Sequence, residues 1–97
     1  MLNSETAIKE IPYDGLTIKK ILQSDSAETL LISLEMGHHL PEHSTAKPAL
    51  LILLEGTISF EIHNEQLILH SMDTFHIPKK VPHTVVGLSN AKFLIIR

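Results

Sequence analysis

The sequence predicts an all-β domain, a two-sheet jelly roll or small barrel, on the strength of three observations. Its apolar residues fall in short runs set apart by Gly, Pro, Asn and Asp, which is the spacing of strands and turns. No stretch carries the 3.6-residue periodicity of an amphipathic helix. The run 49–54 is apolar at every position, so both of its faces must be covered, whereas a strand wetted on one side alternates. Eight short antiparallel strands in 97 residues suit an architecture that limits exposed sheet edges.

Taken in order, residues 16–23 and 29–36 are rich in Ile, Leu and Thr. The cluster Ser24-Asp25-Ser26-Ala27 between them reads as a turn, which predicts a hairpin. The segment 37–48 is polar and contains Pro41 and Pro48, so it reads as a loop. Leucine would allow a helix over 49–54, but Pro48 before it and Gly56 after it leave too few residues for a stable one. Glu55-Gly56 is then a tight turn into the strand 57–62, which puts Ile58, Phe60 and Ile62 on one face. His63-Asn64-Glu65 marks the next reversal. The runs 66–70, 74–77, 83–88 and 91–96 complete the series, punctuated by Asp73, Pro78, Pro82 and Ser89-Asn90.

The length allows one domain, 1–97. The apolar fraction of 43% is aliphatic in character, with three Phe, one Tyr and no Trp, so an ordinary though shallow core is expected. A net charge of −3 argues against a nucleic-acid partner, which would draw its affinity from clustered Lys and Arg; Lys19-Lys20 and Lys79-Lys80 are only isolated pairs. The absence of cysteine removes disulfides and thiolate metal sites and fits an intracellular protein. Residues 1–10 lack the basic start and apolar core of a secretory signal, and no apolar run reaches membrane-spanning length. The expectation is a cytoplasmic protein with no membrane partner.

The chemistry-bearing pattern comes in two parts. Gly37 is followed after five residues by His43, then after one by Thr45, after three by Ala49 and after six by Gly56. Further on, Met72, Pro78, Lys80, His83 and Gly87 repeat the spacing of a second motif. The two parts resemble the paired motifs of the cupins, over residues 37–95, and the phrases Leu40-Pro41-Glu42-His43, Leu53-Leu54-Glu55-Gly56, Ile77-Pro78 and Pro82-His83 carry the likeness. The resemblance implies a double-stranded antiparallel β-helix, the jelly-roll barrel of the small single-domain type. It also implies that His43 and His83 point into the barrel. In the family pattern the Thr45 position is a second histidine and the Ala49 position a glutamate, both metal ligands. The second motif has glycines where this chain has Met72 and Lys80, and an asparagine where it has Gly87.

If Ala49 keeps the orientation of the family's glutamate, Ala49, Leu51 and Leu53 face the interior and Leu50, Ile52 and Leu54 face outward. The outer apolar strip is then covered either by the N-terminal segment or by a second subunit. The resemblance favours a homodimer, with the N-terminal strands of residues 1–36 packed against or exchanged with the partner. The expected ligand pocket is lined by His43, Thr45, Ala49, Leu51 and His83.

Cupin metals are held by imidazole and carboxylate, a ligand set suited to Fe(II), Mn(II), Ni(II) or Zn(II). Here His43 and His83 are the candidate metal ligands, and two imidazoles alone rarely suffice. Glu55 shares the strand parity of Ala49 but lies six residues along, roughly 20 Å away. Glu61 is on the face opposite Ile58, Phe60 and Ile62, and Glu42 would need the loop to fold back. His39 could serve as a third ligand if the loop curls. His38 and His76 are equally readable as exposed or hydrogen-bonded side chains, the commoner state of histidine. His63 and His70 belong to hairpin ends. The expected cofactor state is therefore no tightly bound metal.

Three functions stay open. The barrel binds a small organic molecule without turning it over. Alternatively it is a metal-dependent, dioxygenase-like enzyme, or a metal-free isomerase or lyase with histidine as general acid and base. Covalent nucleophilic catalysis has no support, since there is no cysteine and no serine in a Gly-x-Ser-x-Gly turn.

Overall fold

The first hairpin forms around the predicted turn: β1 (Leu16–Gln23) and β2 (Glu28–Leu34) run antiparallel, with Gln23 opposite Glu28. The Ser24 N–H and hydroxyl both donate to the Ala27 carbonyl, which closes the loop. A computed structural model describes all 97 residues and adds one helical turn, α1 (Ala7–Glu10), ahead of this hairpin. The remaining strands are β3 (His39–His43), β4 (Ala49–Glu55), β5 (Thr57–Ile62), β6 (Glu65–His70), β7 (Thr74–Ile77), β8 (His83–Gly87) and β9 (Ala91–Ile96).

The strand β3 corrects the expectation of a continuous loop over 37–48. Leu40 is buried and pulls this polar segment onto β8, where Leu40 lies opposite Val85 and His43 opposite His83. Pro41 does not prevent this, because β3 is an edge strand and a proline there forfeits no bond to a second neighbour. A register shift between Leu40 and His43 returns the His43 side chain to the interior.

Two sheets face each other, one in the order β1-β2-β9-β4-β7 and the other β3-β8-β5-β6. All ladders are antiparallel. The unpaired edges β1 and β3 flank one side of the sandwich, and β6 and β7 the other. Along β4 burial alternates as expected for an inward Ala49, Leu51 and Leu53 and a half-covered Leu50, Ile52 and Leu54. Ile58 and Phe60 meet them from β5 in a core of fourteen side chains that includes Phe93 and Ile95.

Turn chemistry explains how so short a chain reverses so often. His63 and Asn64 both take positive φ, 53° and 62°, which gives the two-residue β5–β6 turn the twist its strands require. Gly56 carries the chain from one sheet to the other at φ +87°. A Cβ there would strike the Asn90 carbonyl and lie 2.9 Å from Ala91 Cα, so only glycine fits. Met72 and Lys80 adopt φ of 76° and 61°, so the turns survive without the glycines of the related motif, at the cost of left-handed strain.

Outside the core cluster, Ile11 and Leu31 are also buried, and residues 6–13 form a strap across the outer face of the first sheet. Ser33 donates its hydroxyl to the Pro12 carbonyl at 2.7 Å. Lys92, only 8% exposed, reaches the carbonyls of Ile8 and Lys9 at the end of α1 and lies over the Tyr13 ring, whose hydroxyl bonds Glu55. A lysine at the C-terminus of a helical turn meets its free carbonyls and the negative end of its dipole. No helix is long and apolar enough to cross a membrane.

Candidate functional site

His43 and His83, forty positions apart in the chain, are brought together by the pairing of β3 with β8. Their Nε2 atoms stand 3.1 Å apart, with ring centroids at 4.2 Å and planes inclined by 67°. Each ring is held by the same local device, Nδ1 against the carbonyl of the residue two positions earlier: Pro41 at 2.9 Å for His43 and Val81 at 3.0 Å for His83. A carbonyl only accepts, so both Nδ1 atoms carry the hydrogen. With both Nδ1 hydrogens so placed, the two Nε2 lone pairs face each other at hydrogen-bond distance, and the contact asks for a proton, a hydrogen-bond donor or a cation to bridge it. His83 is 2% exposed and stacks on Phe60 at 5.1 Å, and Phe60 in turn meets Phe75 at 4.9 Å. Burial pushes the His83 imidazolium below its usual range; the Val81 carbonyl opposes this and the nearby His43 adds to it.

The pair forms part of the wall of a cavity of about 360 Å³ that opens between the edge strands β1 and β3. Its apolar lining comes chiefly from Leu16 and Ile18 of β1, Leu30 and Ile32 of β2, Leu40 of β3 and Ile95 of β9. Thr45 is on the wall, but its hydroxyl donates to the Lys47 carbonyl at 2.7 Å and so is committed to the loop. Of the five residues expected to line a ligand pocket, the structure places His43, Thr45 and His83 on the wall of this cavity. Ala49 and Leu51 are buried in the packed core and not on the wall, because Leu51 lies one layer deeper between its cross-strand partners Phe75 and Ile95. Arg97 and Glu42 are wall residues that local sequence patterns did not reveal.

The imidazole pair fits a metal in its spacing and not in its number of donors. Two Nε2 atoms 3.1 Å apart subtend about 98° at an ion about 2.05 Å from each, between octahedral and tetrahedral values. Ala49 offers only a methyl group, and no cluster of three or more His, Asp or Glu side chains exists anywhere in the chain. His39 is exposed: it precedes the inward Leu40, and strand alternation turns it outward. His38 and His76 are also exposed, and Glu55 is engaged with Tyr13. The residues present do not make the coordination sphere of a resident metal.

Known structures share this architecture. An RmlC-like cupin from Desulfovibrio desulfuricans superposes with a TM-score of 0.85 over 99% of this chain and 95% of its own, at 18% identity. An RmlC-like cupin of double-stranded β-helix fold from Methanocaldococcus jannaschii gives 0.84 over 100% and 91%, at 14% identity. A cupin superfamily protein from Desulfitobacterium hafniense gives 0.82 over 90% and 80%, at 22% identity. At these identities the likeness is one of fold. No functionally curated protein matches the sequence. The family model for the cupin domain matches residues 30–97, which takes in β3 to β9 whole and both motif histidines, and on that match the chain belongs to the cupin family.

Proposed function

We propose that the barrel is a binding module for a small organic molecule that presents a hydroxyl or amino group to His43 and His83. One observation carries the reading: two imidazoles whose Nδ1 hydrogens are already committed bring their Nε2 acceptors within 3.1 Å of each other, on the wall of an apolar cavity with no cluster of three metal donors. A cavity of this size with few convergent polar groups is the usual form of a small-molecule site. His83→Ala removes one acceptor together with a buried ring, so, with the fold of the variant verified by its methyl spectrum, ligand-observed NMR against a panel of small alcohols and amines should detect binders of the native protein that the variant fails to hold. Retained affinity in the variant overturns the reading. A stoichiometric first-row metal in tag-free protein would favour the metal-dependent enzyme instead.

We also propose that the chain forms a homodimer. The support is the outer strip of Leu50, Ile52, Leu54, Leu94 and Ile96, only half covered in the isolated chain, and the free edge strand β1, on which Ile18 and Leu22 are 50% and 60% exposed. The strap of residues 6–13 crosses the sheet at the level of Ser33, Lys92 and Glu55. A monomeric mass by sedimentation equilibrium at micromolar concentration counts against the dimer. The lack of cysteine supports a cytoplasmic location.

A further inference from the structure

Arg97 stands where the apolar cavity meets a second, polar cleft of about 380 Å³ bounded by the β1–β2 turn and residues 44–47. Its backbone exchanges hydrogen bonds with Glu28, and its Nε donates to the Glu28 carboxylate at 2.7 Å. The same carboxylate also takes Lys20 at 3.0 Å, so two cations share one anion. A guanidinium has five N–H donors; the Nε hydrogen is used, and the Nη hydrogens have no protein partner. What remains is a planar fork of donors suited to a carboxylate. Glu42 on the opposite lip and Asp25 in the turn are both exposed, so they bias an anionic head toward the Arg97 wall.

We propose that the ligand is a short aliphatic carboxylate, its carboxylate on the free edge of Arg97 and its chain against Leu30, Ile32 and Ile95. This rests on the cavity-binding reading above and adds the class of ligand to it. The distal end of the chain then carries a hydroxyl, whose one hydrogen is accepted by an imidazole Nε2 of the pair.

The test uses three probes with one common hydroxyl end: 6-hydroxyhexanoate, hexane-1,6-diol and 6-aminohexan-1-ol. Affinities are read from methyl resonances of Leu30, Ile32 and Ile95 in the full chain. The expected result is at least a tenfold preference for the carboxylate over the diol and the amine, abolished in Arg97→Gln and reduced but still present in Arg97→Lys, which keeps the charge and loses the fork. An unchanged methyl spectrum of the free variants verifies their fold. Should Arg97→Gln not fold, the native protein answers alone, because a charge-borne preference shrinks between about 50 and about 500 mM NaCl. Equal binding of carboxylate and diol, or a preference that survives Arg97→Gln or high salt, overturns this inference and leaves the cavity reading standing. No response from any probe overturns both.

Discussion

Installing Thr45→His together with Ala49→Glu should turn the imidazole pair into a four-ligand metal centre. Thr45 and Ala49 are both 5% exposed; Thr45 shares the cavity wall with the pair, and Ala49 lies opposite the wall residue Ile77 in the β4–β7 ladder. The existing Nε2 separation of 3.1 Å already suits two ligands of one ion. An ion present at about 100 times its dissociation constant stabilises the fold by about 2.7 kcal/mol. For a domain of this size each kcal/mol moves the melting temperature by roughly 4–8 °C, so the double variant should gain about 10–20 °C. Two imidazoles bind too weakly for about 100 µM metal to shift the native protein by more than about 1 °C. Differential scanning calorimetry of chelator-stripped protein, with and without Zn²⁺ or Ni²⁺, reads both numbers. The apo variant should melt below the native protein, since a glutamate replaces a buried methyl group. A variant that responds to metal no more than the native chain would show that positions 45 and 49 do not face the imidazole pair.

The other predictions concern the packing and titration of the same frame. Leu51→Ala should cost about 3 kcal/mol in urea unfolding, because the side chain is fully buried between Phe75 and Ile95, and a loss under about 0.5 kcal/mol would contradict its place in the core. Lys80→Gly should stabilise by about 1 kcal/mol by relieving a φ of 61°, and a lower urea midpoint would mean that the turn is not left-handed in solution. The folded state holds the His83 imidazolium below its unfolded value near 6.5, so this ring contributes stability above that pH which is lost as pH falls through the folded value. Urea midpoints of the native protein should therefore decline below about pH 6.5 more steeply than those of His83→Gln, and parallel curves would show that the ring is not desolvated.

The sequence was a good guide wherever local pattern determines structure. The uninterrupted apolar run of β4 announced a strand covered on both faces, and Ser24–Ala27 and His63-Asn64 announced the hairpins that form there. The strand β3 was hidden because three of its five residues are exposed and one is proline, so its only local signal was Leu40. The meeting of His43 and His83 was legible through motif spacing alone; no periodicity links residues so far apart. Leu16, Ile18 and Arg97 could not be read as cavity residues, because they become so only when the edge β1 is set against the edge β3. Met72 and Lys80 likewise hide their left-handed backbone, which the flanking strands impose against residue preference.

The file of rings running from Phe75 through Phe60 and His83 to His43 gives the molecule a built-in reporter. With no tryptophan and a lone tyrosine on the outer strap, intrinsic fluorescence is blind to the barrel interior. The His83 ring, nearly parallel to Phe60 with an interplanar angle of 18°, carries its carbon-bound protons in the diamagnetic shadow of that benzene face. Those protons should resonate upfield of free imidazole, and any guest that wedges the two histidines apart would retune them without a label.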